Sequence, residues 1–205
     1  MPSFHSARRH PAASSAHVPR KVVVVGTSGA GKTYLAGTLA TILGASLVEL
    51  DAFKHGPGWR RSGTATVRAA VMAATTGECW VVDGNWDEAP RLLWPQADLI
   101  VWLDYPGWVV MRRVLRRSVL RTVLRRRLWN GNRETIRDWF DLTHPVYVAL
   151  RTFRSRRRTY AACLDDHWLR LRSPAEAWRW LSALSVETSD DLDPTGGYPC
   201  PLQPG

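Results

Sequence analysis

The sequence predicts an α/β fold, with helices sandwiching a parallel sheet. Three observations carry that prediction. Short apolar runs alternate with stretches of helical periodicity along the chain. The first run, Lys21–Val25 (KVVVV), is apolar throughout after its lysine, as in a strand buried on both faces. That run enters a glycine loop from which a helix leaves, a strand–loop–helix unit suited to holding phosphate.

The elements follow in order. Tyr34–Leu43 has helical spacing, and Ser46–Leu50 (SLVEL) is a second short strand. Thr64–Thr76 is Ala-rich and helical, Cys79–Val82 (CWVV) is a third strand, and Leu99–Leu103 (LIVWL) is a fourth. In Gly107–Leu128 the residues Met111, Val114, Leu115, Val119, Leu120, Val123 and Leu124 recur at helical spacing, which predicts a long amphipathic helix. Pro145–Leu164 is another helix, with Thr143 placed to cap it and Pro145 near its first turn. Trp168–Leu171 is a fifth strand, and Pro174–Leu184 a closing helix with Ser173 as its N-cap.

Residues 20–186 are therefore expected to form one domain. Residues 1–19, rich in Ala, Ser, Pro and His, and residues 187–205, acidic and then Pro/Gly-rich, are expected to be flexible tails. The 205 residues are 45% hydrophobic and 22% charged, which suits a globular domain and excludes global disorder. No apolar run reaches the roughly 20 residues of a membrane span. The N-terminus has no apolar leader core, so a cytoplasmic location is expected, with a monomer favoured. Cys79, Cys163 and Cys200 are scattered, so neither a disulfide framework nor a zinc site is expected.

The formal charge of +10 is unevenly placed. Residues 112–158 hold 15 arginines and three acids, while the remainder is slightly acidic. Such a block meets phosphate, nucleic acid or an anionic membrane, or else forms a solvated face. Of the 28 basic residues only Lys21, Lys32 and Lys54 are lysines, so a general preference for arginine lowers the weight of any single one.

The sharpest motif is Gly26-Thr27-Ser28-Gly29-Ala30-Gly31-Lys32-Thr33, which fits G-x-x-x-x-G-K-[ST] at every fixed position. Its backbone N–H groups can curl around phosphate oxygens, and the following helix N-terminus adds positive potential. Lys32 is placed to reach the β- and γ-phosphates of ATP, and the Thr33 hydroxyl to ligate Mg²⁺. The dinucleotide fingerprint fails because its second glycine position is Ser28. No Asn-Lys-x-Asp tetrapeptide occurs, which disfavours a GTPase.

Ligands of open α/β sheets bind at the carboxyl ends of the strands. Asp51 and Asp83 follow the second and third strands there, each a candidate to hold Mg²⁺ through water, to orient an acceptor hydroxyl, or to cap a turn. Asp104 precedes Tyr105-Pro106 and reads as a turn or cap residue. Asn85 is placed to donate to an acceptor phosphate. Trp59, Trp86 and Trp129 are candidates to stack on a ligand, with packing the commoner use of a tryptophan.

The phosphate loop together with VELDAF, WVVDGNW, VWLDYP, LWNGNRE and LRLRSP resembles adenylate kinase and its nucleoside-monophosphate kinase relatives. More closely, it resembles a bacterial group of adenylate-kinase-like ATPases termed DNA topology modulation proteins. The resemblance spans about residues 20–184 and implies a three-layer sandwich with strand order 2-3-1-4-5 and a small helical lid. It implies that Arg113 and Arg117 match the two arginines which adenylate kinases carry on the helix after strand 4, one against adenine and one on phosphate. It further implies that Asp83 organises Mg²⁺. The lid would fall near residues 121–140, with Arg125, Arg127, Arg133 and Arg137 as phosphate clamps. Two segments depart from adenylate kinase: Asn85-Trp86-Asp87 replaces Phe-Pro-Arg, and the AMP-binding pattern after strand 2 is absent.

The expected activity is an ATP- and Mg²⁺-dependent phosphotransferase acting on an unidentified small-molecule acceptor. Lys32, Asp51, Asp83 and Arg117 would carry the chemistry, and Gly26–Thr33 with Arg113 would hold the nucleotide. The alternatives are an ATP-gated nucleic-acid-binding protein, with Arg154, Arg156, Arg157 and Arg158 extending the basic patch, or an ATPase that uses water.

Overall fold

The computed structural model describes residues 18–54, 62–123 and 145–190. Four consecutive valines set the centre of its sheet. Val22, Val23, Val24 and Val25 alternate sides along β1 (Lys21–Gly26), and all are buried. A strand apolar on both faces needs cover on both. Val22 and Val24 pack with Leu35, Leu39 and Leu43 of α1 (Lys32–Leu43) and with Leu181 of α7 (Pro174–Asp190). Val23 and Val25 pack with Val67 and Val71 of α3 (Thr64–Ala74) and with Tyr160 of α6 (Pro145–Ala162).

The other strands are β2 (Ser46–Glu49), β3 (Trp80–Asp83), β4 (Leu99–Leu103) and β5 (Trp168–Leu171). All pairings are parallel, and the order is β2-β3-β1-β4-β5, as expected. In register, Val24 pairs with Asp83 and Gly26 with Leu103. The glycine loop, Asp83 and Asp104 therefore leave the sheet at one common edge. Trp80 and Trp102 lie in the core, as tryptophans within buried strands should.

The boundaries differ in places. Leu50 does not end β2 but opens α2 (Leu50–Lys54), where it is fully buried and Asp51 sits in the first turn. The segment between β3 and β4 holds α4 (Ala89–Leu92) and a 3₁₀ turn at Trp94–Gln96, each with proline in its opening positions. Both are too short to show a period. α7 runs past Leu184 to Asp190. Its start is capped as predicted, with the Glu176 N–H donating to Ser173 Oγ at 3.1 Å and the Glu176 carboxylate accepting the Arg172 N–H at 2.5 Å. α5 (Gly107–Val123) follows β4. Its predicted continuation to Leu128, the lid beyond it, Thr143, and residues 1–17 and 191–205 lie outside the described residues.

The cysteine expectation is corrected. Cys79 is disulfide-bonded, whereas Cys163 is a free thiol. Among the described residues, no helix is long and apolar enough to cross a membrane.

Candidate functional site

The loop Gly26–Thr33 joins β1 to α1 at the carboxyl edge of the sheet, and α5 packs directly against it. Gly29 has φ +84°, and a Cβ there would lie 2.2 Å from Val114 Cγ2 and 3.0 Å from the Val110 carbonyl oxygen. Only glycine fits this position. Gly29→Ala is therefore expected to destabilise the protein by about 1–3 kcal/mol. Adding Val114→Ala should make the double variant less unstable than the sum of the two single losses, read from urea midpoints. No side chain caps α1, whose N-cap is Gly31. Its opening N–H groups thus remain available to an anion.

Two arginines of α5 hold the loop from the same side. Arg113 donates to the Ala30 carbonyl at 2.9 Å, and its guanidinium lies 5.4 Å from the Tyr105 ring centroid. Burial pushes the Tyr105 hydroxyl up to about 12. Arg117 donates to Ser28 Oγ at 3.1 Å. These two helix positions, one turn apart, bring both guanidinium groups to one loop.

Lys32 folds back to donate to the Thr27 carbonyl at 3.3 Å. Burial lowers its pKa to about 8; Asp83 and Asp51 pull it back up, while Arg156 and Arg117 push it further down. Asp83 is buried at the end of β3. Desolvation raises its pKa, opposed by Lys32 and by a hydrogen bond from Thr33, while Asp51 and Glu49 reinforce the rise. Asp83 Oδ1 has no hydrogen-bond partner. Asp51, on α2, is half exposed and pairs with Lys54 at 3.4 Å. The structure thus gathers Lys32, Thr33, Asp51, Asp83, Arg113 and Arg117 around one loop. Arg125, Arg127, Arg133, Arg137, Trp59 and Trp129 lie outside the described residues.

Several residues take roles that the sequence reading did not give them. Asn85 does not present a free amide. Its Nδ2 donates to the Gly26 carbonyl at 2.7 Å, and its Oδ1 accepts the Gly26 N–H at 3.2 Å and the Tyr160 hydroxyl at 3.1 Å. Lys54 donates to the Asn85 carbonyl. Lys54 had a signal in the sequence, as one of three lysines in a chain that otherwise uses arginine. Trp86 packs against the core behind α4.

The basic stretch on α6 is also divided. Arg156 is half-buried and acts electrostatically on Lys32 and Tyr160. Arg157 pairs with Asp104 at 3.0 Å, whereas Arg154 and Arg158 are exposed. Asp104 is not a turn or cap residue. Its side chain is 3% exposed, and it accepts Arg170 Nε at 2.9 Å as well as pairing with Arg157. Arg170 in turn lies 4.7 Å from the Trp102 ring centroid. Buried carboxylates need such partners.

No family model matches the chain, and no curated protein matches it. Solved structures do. Shikimate kinase from Acinetobacter baumannii, in complex with shikimate, has a TM-score of 0.52 at 19% identity, over 85% of this chain and 96% of that one. A gluconokinase from Sinorhizobium meliloti 1021 has 0.49 at 17% identity, over 86% and 99%. Deoxyadenosine kinase from M. mycoides with bound dATP has 0.47 at 10% identity, over 80% and 98%. Taken with the parallel sheet in order 2-3-1-4-5 and the loop between β1 and α1, the likeness to the shikimate kinase shows that the chain shares that protein's fold.

Proposed function

We propose that the protein is an ATP-dependent phosphotransferase acting on a small hydroxyl-bearing acceptor. One observation carries the reading: Lys32, Thr33, Asp83, Arg113 and Arg117 converge on a single phosphate-type loop at the carboxyl edge of the sheet. The motif resemblance to adenylate kinases and the P-loop kinase fold support it.

The loop amides and Lys32 hold the β- and γ-phosphates, and Arg113 and Arg117 are close enough to neutralise charge developing in transfer. The residues present fit Mg²⁺, because Asp83 Oδ1 is buried without a partner and Thr33 stands beside it. Among the described residues, no trio of His, Cys, Asp or Glu is grouped to hold a metal alone, so nucleotide oxygens would complete its shell. When bound, the ion neutralises phosphate charge. The acceptor lies on the Asp51 side. Its oxygen bonds to the γ-phosphorus as the bond to the bridging oxygen of ADP breaks, and Asp51 takes its proton.

The test is ADP release from Mg-ATP across a screen of nucleosides, nucleotides, hydroxy acids, sugars and small alcohols. ADP release that no acceptor accelerates would leave an ATPase, and no turnover with salt-sensitive DNA binding would leave the nucleic-acid switch.

The ionisation of Lys32 adds a prediction. Only the ammonium form attracts phosphate, and its free-state pKa is about 8. ATP oxygens raise that pKa in the complex. Affinity for Mg-ATP should therefore be flat below pH 8 and fall above it, approaching about tenfold per pH unit as one proton is taken up on binding. Calorimetric titrations between pH 7 and 9.5 check this, and Lys32→Arg should abolish the fall.

A further inference from the structure

We propose that Asn85 is a positioning residue for the phosphate loop, joining it to α6 through its side-chain amide and to α2 through its main-chain carbonyl. The proposal rests on the nucleotide-binding reading above. On its β3 side, β1 makes regular ladder bonds: the Arg20 carbonyl accepts the Trp80 N–H at 3.0 Å, and the Val24 carbonyl accepts the Gly84 N–H at 3.3 Å. Gly26 is the next residue of β1 to face that side, but β3 has ended at Asp83. Gly84, at φ +125°, turns the chain away. The Asn85 amide replaces the missing rung, bonding both the N–H and the carbonyl of Gly26 at 3.2 and 2.7 Å.

Only one orientation of the amide satisfies a donor and an acceptor together, so Gly26 fixes its flip. Tyr160 then adds its hydroxyl to the same Oδ1 from α6, and Lys54 adds its ammonium to the Asn85 carbonyl from α2. Tyr160 is itself held among the rings of Trp94, Trp102 and Trp168, with centroids 5.7–6.2 Å away. A shift of α6, which carries Arg156, therefore reaches the first residue of the loop through the Asn85 side-chain amide, and a shift of α2, which carries Asp51, through the Asn85 main chain. Through these bonds Asn85 sets where the loop starts.

Full-length wild type, Asn85→Ala, Tyr160→Phe and the double variant are titrated with Mg-ATP by calorimetry. The temperature is one at which circular dichroism shows each to be folded. Asn85→Ala should bind about tenfold more weakly and Tyr160→Phe about threefold. The double variant should bind no more weakly than Asn85→Ala, because the hydroxyl acts only through the amide. Unchanged affinity in Asn85→Ala, or additive losses in the double variant, overturns the proposal. If Asn85→Ala does not fold, Tyr160→Phe decides alone, and unchanged affinity overturns it. A wild type that binds no Mg-ATP instead brings down the nucleotide reading, and this proposal with it.

Discussion

Lys32→Ala is expected to lower Mg-ATP turnover on the order of a thousandfold and to leave the fold intact. The side chain supplies the one ammonium inside the loop, beside Asp83 and Asp51. Its charge opposes folding rather than supporting it. Burial lowers its folded pKa below the ordinary 10.5, so the protonated form is less favoured in the native state than in the unfolded chain. Removing it should therefore not lower the melting temperature below pH 8. Turnover and thermal melting on the same preparation separate the two effects. Turnover within tenfold of wild type would remove Lys32 from the chemistry.

Asp104→Ala should have the largest effect on stability, about 3 kcal/mol. The carboxylate is almost fully enclosed and faces Arg170 at 2.9 Å and Arg157 at 3.0 Å. Without it, two guanidinium groups meet at the end of β4 with no counter-charge between them. The figure sits at the low end for a buried pair because Arg157 is half exposed and its charge is screened. Asp104→Asn keeps an acceptor oxygen and should lose less. Urea unfolding of the three proteins measures the order. A loss below about 1 kcal/mol for Asp104→Ala would mean that solvent already carries the arginines.

The elements that the sequence revealed were those with strong local signals. β1, β4 and β5 are runs of β-branched and aromatic residues bounded by turns, and their predicted limits match the structure to within a residue. The loop was legible because its glycines are dictated by backbone space, as Gly29 against Val114 shows. What was hidden depends on which strands become neighbours. Asp104 looked like a turn residue because Arg157 and Arg170 are remote in sequence. Asn85 looked free because its partner Gly26 belongs to another strand. Lys54 and Tyr160 carry no motif, and both bond Asn85, one at its main-chain carbonyl and the other at its side chain. α2 and α4 escaped because helices of five and four residues cannot display a period.

The all-parallel sheet also bears on how the chain acquires its site. β1 closes only when β3 and β4 arrive on either side, and both lie far downstream of it in the chain. Such long closures must be made before the contacts reward them, which slows folding relative to helical proteins of the same size. Because Asn85 follows β3 and Arg113 and Arg117 follow β4, the supports of the loop arrive with those strands. A growing or proteolysed chain that stops before β4 has the whole glycine motif and Asn85 but lacks β4 and the two arginines that hold the loop from α5.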